Sequence, residues 1–193
     1  MKKLFLFFTM LLIATNVIAQ QVVEFCLKPD GTFQSHDGKS FVVVEYEGKT
    51  QQELYNMVKA NVLTLYNSPQ TVMNEIEPTN ITIRALSDKL YSTYALVGAF
   101  VEYRARYNYV FQFKDGKIRV DAPLIDSQLN VTASAVPISK TFVSLIDDWF
   151  DKKGNVKKKK QKNVSKIEAI FNYPINYLLG NLNQSTKKDE EDW

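Results

Sequence analysis

Along residues 107–122 apolar and polar positions alternate, first through Tyr107, Tyr109, Phe111 and Phe113 and then through Ile118, Val120 and Ala122, with Asp115-Gly116 between the two runs. Alternation on both sides of an Asp-Gly pair predicts a β-hairpin, because a type I′ turn needs positive φ at both central residues, which Asp tolerates and Gly adopts freely. The same period of two marks Ile81, Ile83 and Ala85, after which Ser87-Asp88-Lys89 is a place for the chain to turn. From Leu90 to Phe113 the chain is β-prone over a length well beyond the usual strand of about 5–6 residues. A break is therefore expected there, at Gly98 or across 104–108. Shorter β-branched and aromatic runs at 22–26 and 41–46 predict two further strands, and the Gly-, Pro-, Asp- and Ser-rich stretch 28–40 between them predicts a loop or loose hairpin.

Elsewhere the period lengthens to that of a helix. Thr50 with Glu53 three residues on forms a capping box; Leu54, Val58, Val62, Leu65 and Tyr66 then share one face, and Ser68-Pro69 ends the run. Ile138, Phe142, Leu145, Ile146, Trp149 and Phe150 predict a second helix, with Gly154 after its last turn and Lys152 and Lys153 near its negative end. A third begins near Ser165, which with Glu168 repeats the capping-box spacing, and continues through Ile167, Ile170, Phe171, Leu178, Leu179 and Leu182. Pro174 is expected to kink or divide it. The fold class is α+β, an antiparallel sheet with packed helices in the order strand, helix, three or four strands, helix, plus an extra C-terminal helical segment. The expected divisions are 1–19, 20–40 as strand and loop, 41–126 as the α+β domain, 127–186 as helices with a basic loop, and 187–193 as a disordered charged tail.

The first nineteen residues change where this domain is expected to work. Two lysines precede an apolar run from Leu4 to Ile13, and Val17-Ile18-Ala19 follows. That is the layout of a secretory signal peptide cleaved after Ala19, with a core too short for a stable span of a bilayer of about 30 Å. An exported chain beginning at Gln20, periplasmic or secreted, is expected, without a transmembrane segment. Glu24 and Phe25, charged and bulky, argue against lipidation of Cys26. Without Lys2 and Lys3 the balance of 24 basic to 21 acidic residues falls to a net charge of +1, which gives no field drawing the protein to nucleic acid. A 45% hydrophobic fraction suits a packed core, and a single cysteine excludes an internal disulfide, so Cys26 is expected to be buried as a small hydrophobe.

Candidate chemistry is sparse. One histidine, His36, lies in a predicted loop and is expected to be solvated; with one cysteine it gives no metal cluster and little basis for a Cys-His pair. No Gly-x-Ser-x-Gly or glycine-rich phosphate loop occurs, and Asp147 and Asp148, consecutive on a helix, diverge by about 100°. No catalytic residue, cofactor or metal is expected. The aromatic row Tyr103, Tyr107, Tyr109, Phe111 and Phe113 shares one parity. Its rings either pack under the helices or present a platform for a small apolar or sugar ligand. Between Lys152 and Lys166 lie eight lysines, Lys157, Lys158, Lys159 and Lys160 consecutively. They form either a solvated loop or a contact to an anionic surface; nucleic acid is not expected, since no aromatic residues are interleaved with them. Sequons at Asn80, Asn130, Asn163 and Asn183 matter only in a eukaryotic secretory pathway. Two function classes follow: a non-catalytic module binding a small molecule on the aromatic face, or an interaction and assembly protein of the cell envelope using its C-terminal helices and basic loop.

Gly48-Lys49-Thr50-Gln51-Gln52-Glu53-Leu54-Tyr55 after a strand, and later Tyr107-Asn108-Tyr109-Val110-Phe111-Gln112-Phe113-Lys114-Asp115-Gly116-Lys117-Ile118-Arg119, together resemble a family of exported Gram-negative bacterial proteins, domain of unknown function 4468. The resemblance covers roughly Phe41 to Val120. It implies a TBP-like fold and export, and it carries no catalytic residue because the family has no established activity.

Overall fold

The computed structural model describes residues 22–94, 100–132 and 140–181. The expected leader at 1–19, Gly98, Ile138, Leu182 and the expected charged tail lie outside the described residues. The fold is α+β, with an antiparallel sheet, packed helices and a C-terminal helix.

The predicted hairpin is the middle of the sheet. Strand β7 (Phe100–Lys114) turns through Gly116, at φ +73°, into β8 (Lys117–Asp121), with Lys114 opposite Lys117. The Asp115 carboxylate accepts the Gln51 N–H at 2.7 Å, docking this turn on the helix that begins there. Around β7 the order is β3 (Phe41–Glu45), β8, β7, β5 (Asn80–Leu86) and β4 (Met73–Ile76), while β6 (Tyr91–Tyr94) and β9 (Leu124–Thr132) pair with the N-terminal half of β7. Thus β5 and β6 follow one another along one side of β7, and β8 and β9 along the other.

The expected break across 104–108 does not occur. Val101, Tyr103, Ala105, Tyr107, Tyr109, Phe111 and Phe113 are all buried, so one parity persists along β7. The irregularity falls on β9 instead, where Ala105 and Tyr107 face Leu129 and Ile125, so that β9 carries the extra residues of a bulge. Nor does 87–89 reverse the chain. Buried Ser87 donates its N–H to Ala105 O at 2.8 Å and accepts the Ala105 N–H on its hydroxyl at 3.0 Å, bridging β5 to β6 along the same partner.

Helix α1 (Gln51–Leu65) has the expected capping box and buries Leu54, Tyr55, Val58 and Val62. Pro69 then opens a single turn, α2 (Pro69–Val72). The second predicted helix is much shorter: α3 (Phe142–Ile146), capped by a Thr141/Ser144 box, followed by a 3-10 turn at Asp147–Trp149. Phe150 pairs with Val156 as an isolated bridge, and between them Asp151 accepts the N–H groups of Lys153 and Asn155 while Gly154 takes φ +83°. Gly154 therefore closes a loop organised by an aspartate, not a helix, and Lys152 and Lys153 are not at a helix end. Helix α4 (Gln161–Leu178) starts four residues before Ser165 and passes through Pro174 undivided. It buries Val164, Ile167, Phe171, Ile175 and Leu178, and is tied to the sheet by Tyr109, whose hydroxyl donates to Phe171 O at 2.9 Å. The expected boundaries at 40/41 and 126/127 do not separate units: β9 runs across the second, and α4 shares the core of the sheet and α1.

The N-terminal stretch is a hairpin, β1 (Phe25–Leu27) with β2 (Phe33–Ser35), and it packs on α4 through polar groups. Asn176 accepts the Val23 N–H at 2.9 Å and donates to Val23 O at 2.8 Å; Asn172 does the same for Phe25 at 3.0 and 2.9 Å; Glu168 accepts the Leu27 N–H at 2.9 Å. Four helical residues advance about 6.0 Å and two strand residues about 6.6–6.8 Å, so the side chains of α4 stand in for a missing strand. Glu168 thereby caps β1, not its own helix, and Ser165 has no capping role. Replacing Asn176 by Leu leaves both buried groups of Val23 unpaired and is expected to cost about 2–3 kcal/mol in urea unfolding, with about 1–2 for half-buried Asn172→Leu. Ser165→Ala is expected to stay within about 0.5 kcal/mol of the native protein in the same titration.

Candidate functional site

On β1 the alternation that sends Phe25 and Leu27 into the core sends Glu24 and Cys26 the other way, towards His36 just past β2. Cys26 Sγ lies 3.6 Å from His36 Nδ1, and His36 Nε2 lies 2.9 Å from the Glu24 carboxylate. The Cys-His pair for which the sequence offered little basis is formed, and Cys26 is half-buried where full burial was expected. Only the hairpin register brings the three together. Burial first, then the carboxylates of Glu168 and Glu24, push the Cys26 thiol above its ordinary range, against the opposing pull of Lys28. Burial likewise raises the Glu168 carboxyl against the Leu27 N–H that it accepts. A nucleophilic cysteine needs the reverse, an electropositive setting that favours thiolate. The His36 and Glu24 side chains are 70% and 59% exposed, so this contact, an ion pair only when the imidazole is protonated, is weakened by solvent screening. Among the described residues no group of three or more His, Cys, Asp or Glu is placed to hold a metal ion.

The aromatic row is brought together, and it is closed. Tyr103, Tyr107, Tyr109, Phe111 and Phe113 are all buried on the face covered by helices. Tyr107 packs edge-on to Phe171 of α4 at 5.7 Å, Phe113 edge-on to Tyr55 of α1 at 5.7 Å, and Tyr91 stacks on Tyr103 at 6.2 Å. The hydroxyls are engaged as well: Tyr107 bonds Tyr66 at 3.1 Å, and Tyr109 donates to Phe171 O. Burial pushes the Tyr66 and Tyr109 hydroxyls well up, and the Tyr107 hydroxyl up against the opposing bond from Tyr66. The platform reading is corrected accordingly: this face is packed core, because α1 and α4 supply the apolar partners that a ligand was expected to provide.

The lysine run divides in two. Lys158–Lys160 form a 3-10 turn leading into α4. Lys160 pairs with the Asp148 carboxylate at 2.8 Å and Lys157 donates to Asp148 O at 2.8 Å, which holds the Asp148 carboxyl below its usual range through Lys160 foremost. Lys158 and Lys159 are exposed and make no ion pair among the described residues. Two of the four candidate contacts are thus fastened to the fold.

A fourth surface was not singled out from the sequence. The positions of β5 and β7 that alternate with the buried set, Thr82, Arg84 and Leu86 with Glu102, Arg104, Arg106, Asn108, Val110 and Gln112, include no buried residue. All four arginines of the chain, Arg84, Arg104, Arg106 and Arg119, lie on this uncovered face. Arg104 meets Glu102 at 3.5 Å, and Arg119 meets Asp121 at 2.8 Å and covers the Phe41 ring at 4.1 Å. Arg84 and Arg106 make no ion pair among the described residues and border a groove of about 670 Å³. The signal was present in the alternate parity of Thr82-x-Arg84 and Arg104-x-Arg106, but it stays unread until the strands are placed side by side.

No protein-family model and no curated protein matches the chain. Among solved structures it is similar to a TBP-like protein from Parabacteroides distasonis, at 12% identity and a TM-score of 0.43, covering 76% of this chain and 90% of that one. It is also similar to a DUF4468 family protein from Bacteroides ovatus, at 13% identity and a TM-score of 0.41, covering 85% of this chain and 92% of that one. The first is described as TBP-like and the second as a member of the domain of unknown function 4468 family.

Proposed function

We propose that this chain is an exported, non-catalytic binding module that works through the uncovered face of its large sheet. The observation that carries this reading is the inequality of the two faces. One is filled by the protein's own helices, while on the other two arginines, Arg84 and Arg106, make no ion pair among the described residues. A small molecule or envelope component remains the partner, with the contact transferred from the aromatic row to the opposite face. Assembly through the C-terminal helices is disfavoured, because Val164, Ile167, Phe171, Ile175 and Leu178 of α4 are buried in this core, which among the described residues takes up most of the apolar face a partner would need. Export rests on the leader pattern of the first nineteen residues.

The non-catalytic part is tested at Cys26. The thiol is held protonated, so alkylation by iodoacetamide at pH 7.5 is expected to run slower than that of free cysteine and to rise only as pH passes the ordinary thiol range near about 8.5. His36→Ala is expected to leave the rate within about twofold, since the imidazole generates no thiolate. Fast alkylation at neutral pH that depends on His36 would contradict the reading.

The binding part is tested by sedimenting residues 20–193 with an envelope fraction from a Gram-negative bacterium at low salt. Arg84→Gln/Arg106→Gln is expected to lower retention about tenfold, equivalent to about 1.4 kcal/mol. Lys158→Gln/Lys159→Gln is expected to be retained like the native protein. Native retention of the arginine variant would sink the assignment to this face, and loss with the lysine variant alone would move the contact to the basic turn.

A further inference from the structure

Resting on that reading, we infer that the groove between β5, β7 and β9 is a site for a sugar bearing a single carboxylate, held by Arg84 and Arg106. Arg84 lies opposite Asn108, and Leu86 opposite Arg106, so the two arginines are diagonal neighbours across one strand pair. Such positions are about 7–8 Å apart, within which two long side chains converge on one anion. Each guanidinium is a planar fork that matches the two oxygens of a carboxylate.

The remaining lining narrows the ligand class. Asn108 lies opposite Leu124 of β9, which extends the groove onto a third strand, and Asp126 lines it at that end. A negative charge there repels a polyanion or a phosphate dianion more strongly than a single carboxylate held at the arginines, and it accepts hydrogen bonds from hydroxyl groups. Asn108 donates or accepts beside it. Leu86, 49% exposed, lines the groove beside the arginines, and Leu124, 65% exposed, stands next to the groove opposite Asn108, so the two offer apolar surface suited to the C–H face of a sugar ring. One carboxylate for the arginines, hydroxyls for Asp126 and Asn108, and an apolar ring face for the leucines together describe an acidic monosaccharide unit. The volume of about 670 Å³ falls within the range of about 300–1,000 Å³ of small-molecule sites.

The test is isothermal titration of residues 20–193 at low salt with a glucuronate-containing disaccharide, its neutral glucose counterpart, and inorganic phosphate. The acidic disaccharide is expected to bind at least about tenfold more tightly than the neutral one, and Arg84→Ala or Arg106→Ala to remove about tenfold each. Arg119→Ala, already paired with Asp121, is expected to change nothing. Asp126→Asn is expected to weaken the sugar and to strengthen phosphate. Circular dichroism of each variant, with Arg106→Lys as a second substitution that keeps the charge and removes the fork, separates a binding loss from a folding loss. Equal affinity for the two disaccharides, or phosphate binding more tightly than the acidic sugar, would overturn the inference. So would no sugar binding by a protein whose envelope retention still requires Arg84 and Arg106, and that outcome leaves the uncovered face standing as the contact surface. Loss of the arginine requirement in the envelope experiment would instead remove the reading beneath it.

Discussion

Helix α4 lies between two different neighbours, and its four-residue repeat serves both. Towards the sheet it presents Ile167, Phe171, Ile175 and Leu178, which fill the space over Tyr107 and Tyr109. Towards the N-terminal hairpin it presents Glu168, Asn172 and Asn176, whose spacing matches alternate residues of β1. Neither arrangement stands alone. Without the apolar contact the aromatic face of β7 is open to water, and without the polar ladder Val23, Phe25 and Leu27 keep N–H groups that β2 does not take up. The hairpin that brings Cys26 to His36 is held in place by the same side chains. A carboxamide both donates and accepts, so asparagine satisfies a whole peptide unit; Glu168, an acceptor only while ionised, serves Leu27, where a single bond is made.

Long periodic stretches were legible in the sequence and their ends were not. The hairpin at Asp115-Gly116 and the α1 capping box are local, each specified by residues within a few positions, and both form, the turn with positive φ recorded at Gly116. The errors have more than one cause: at Glu168 a tertiary partner overruled a local signal, while elsewhere a local loop replaced a helix or a strand lacked its alternation. Ser165 and Glu168 have capping-box spacing, but the residues before them continue the helix and the carboxylate finds Leu27. Helical spacing through Phe150 yields to a loop built on Asp151. Strand β4, exposed along most of its length, and β9, bulged and interrupted by Asp126-Ser127-Gln128, lack the alternation that reveals a strand. Of the candidate sites, the parity of the aromatic row was readable, but whether it faced a ligand or a helix depended on α4.

A sheet covered on one side settles the fate of side chains by parity alone. Along β7 the odd positions from Val101 to Phe113 are core and the even positions meet solvent. A strand of 15 residues keeps that division only because its irregularities are transferred to its neighbours. Ser87 carries the interruption on one side and β9 carries the bulge on the other. The arginines therefore arrive on one face as a register property of three strands.

The polar ladder joins residues that are 141 to 153 positions apart. A ribosome emits β1 well before α4, so until α4 is made alternate peptide groups of the N-terminal hairpin have only water as partner. Contacts of such separation form late, after the entropy of closing the intervening loop has been overcome. The N-terminal end of the domain is in this sense its final piece: the segment from Val23 to Leu27 locks only once α4 has been made, although it is the first of the two to emerge.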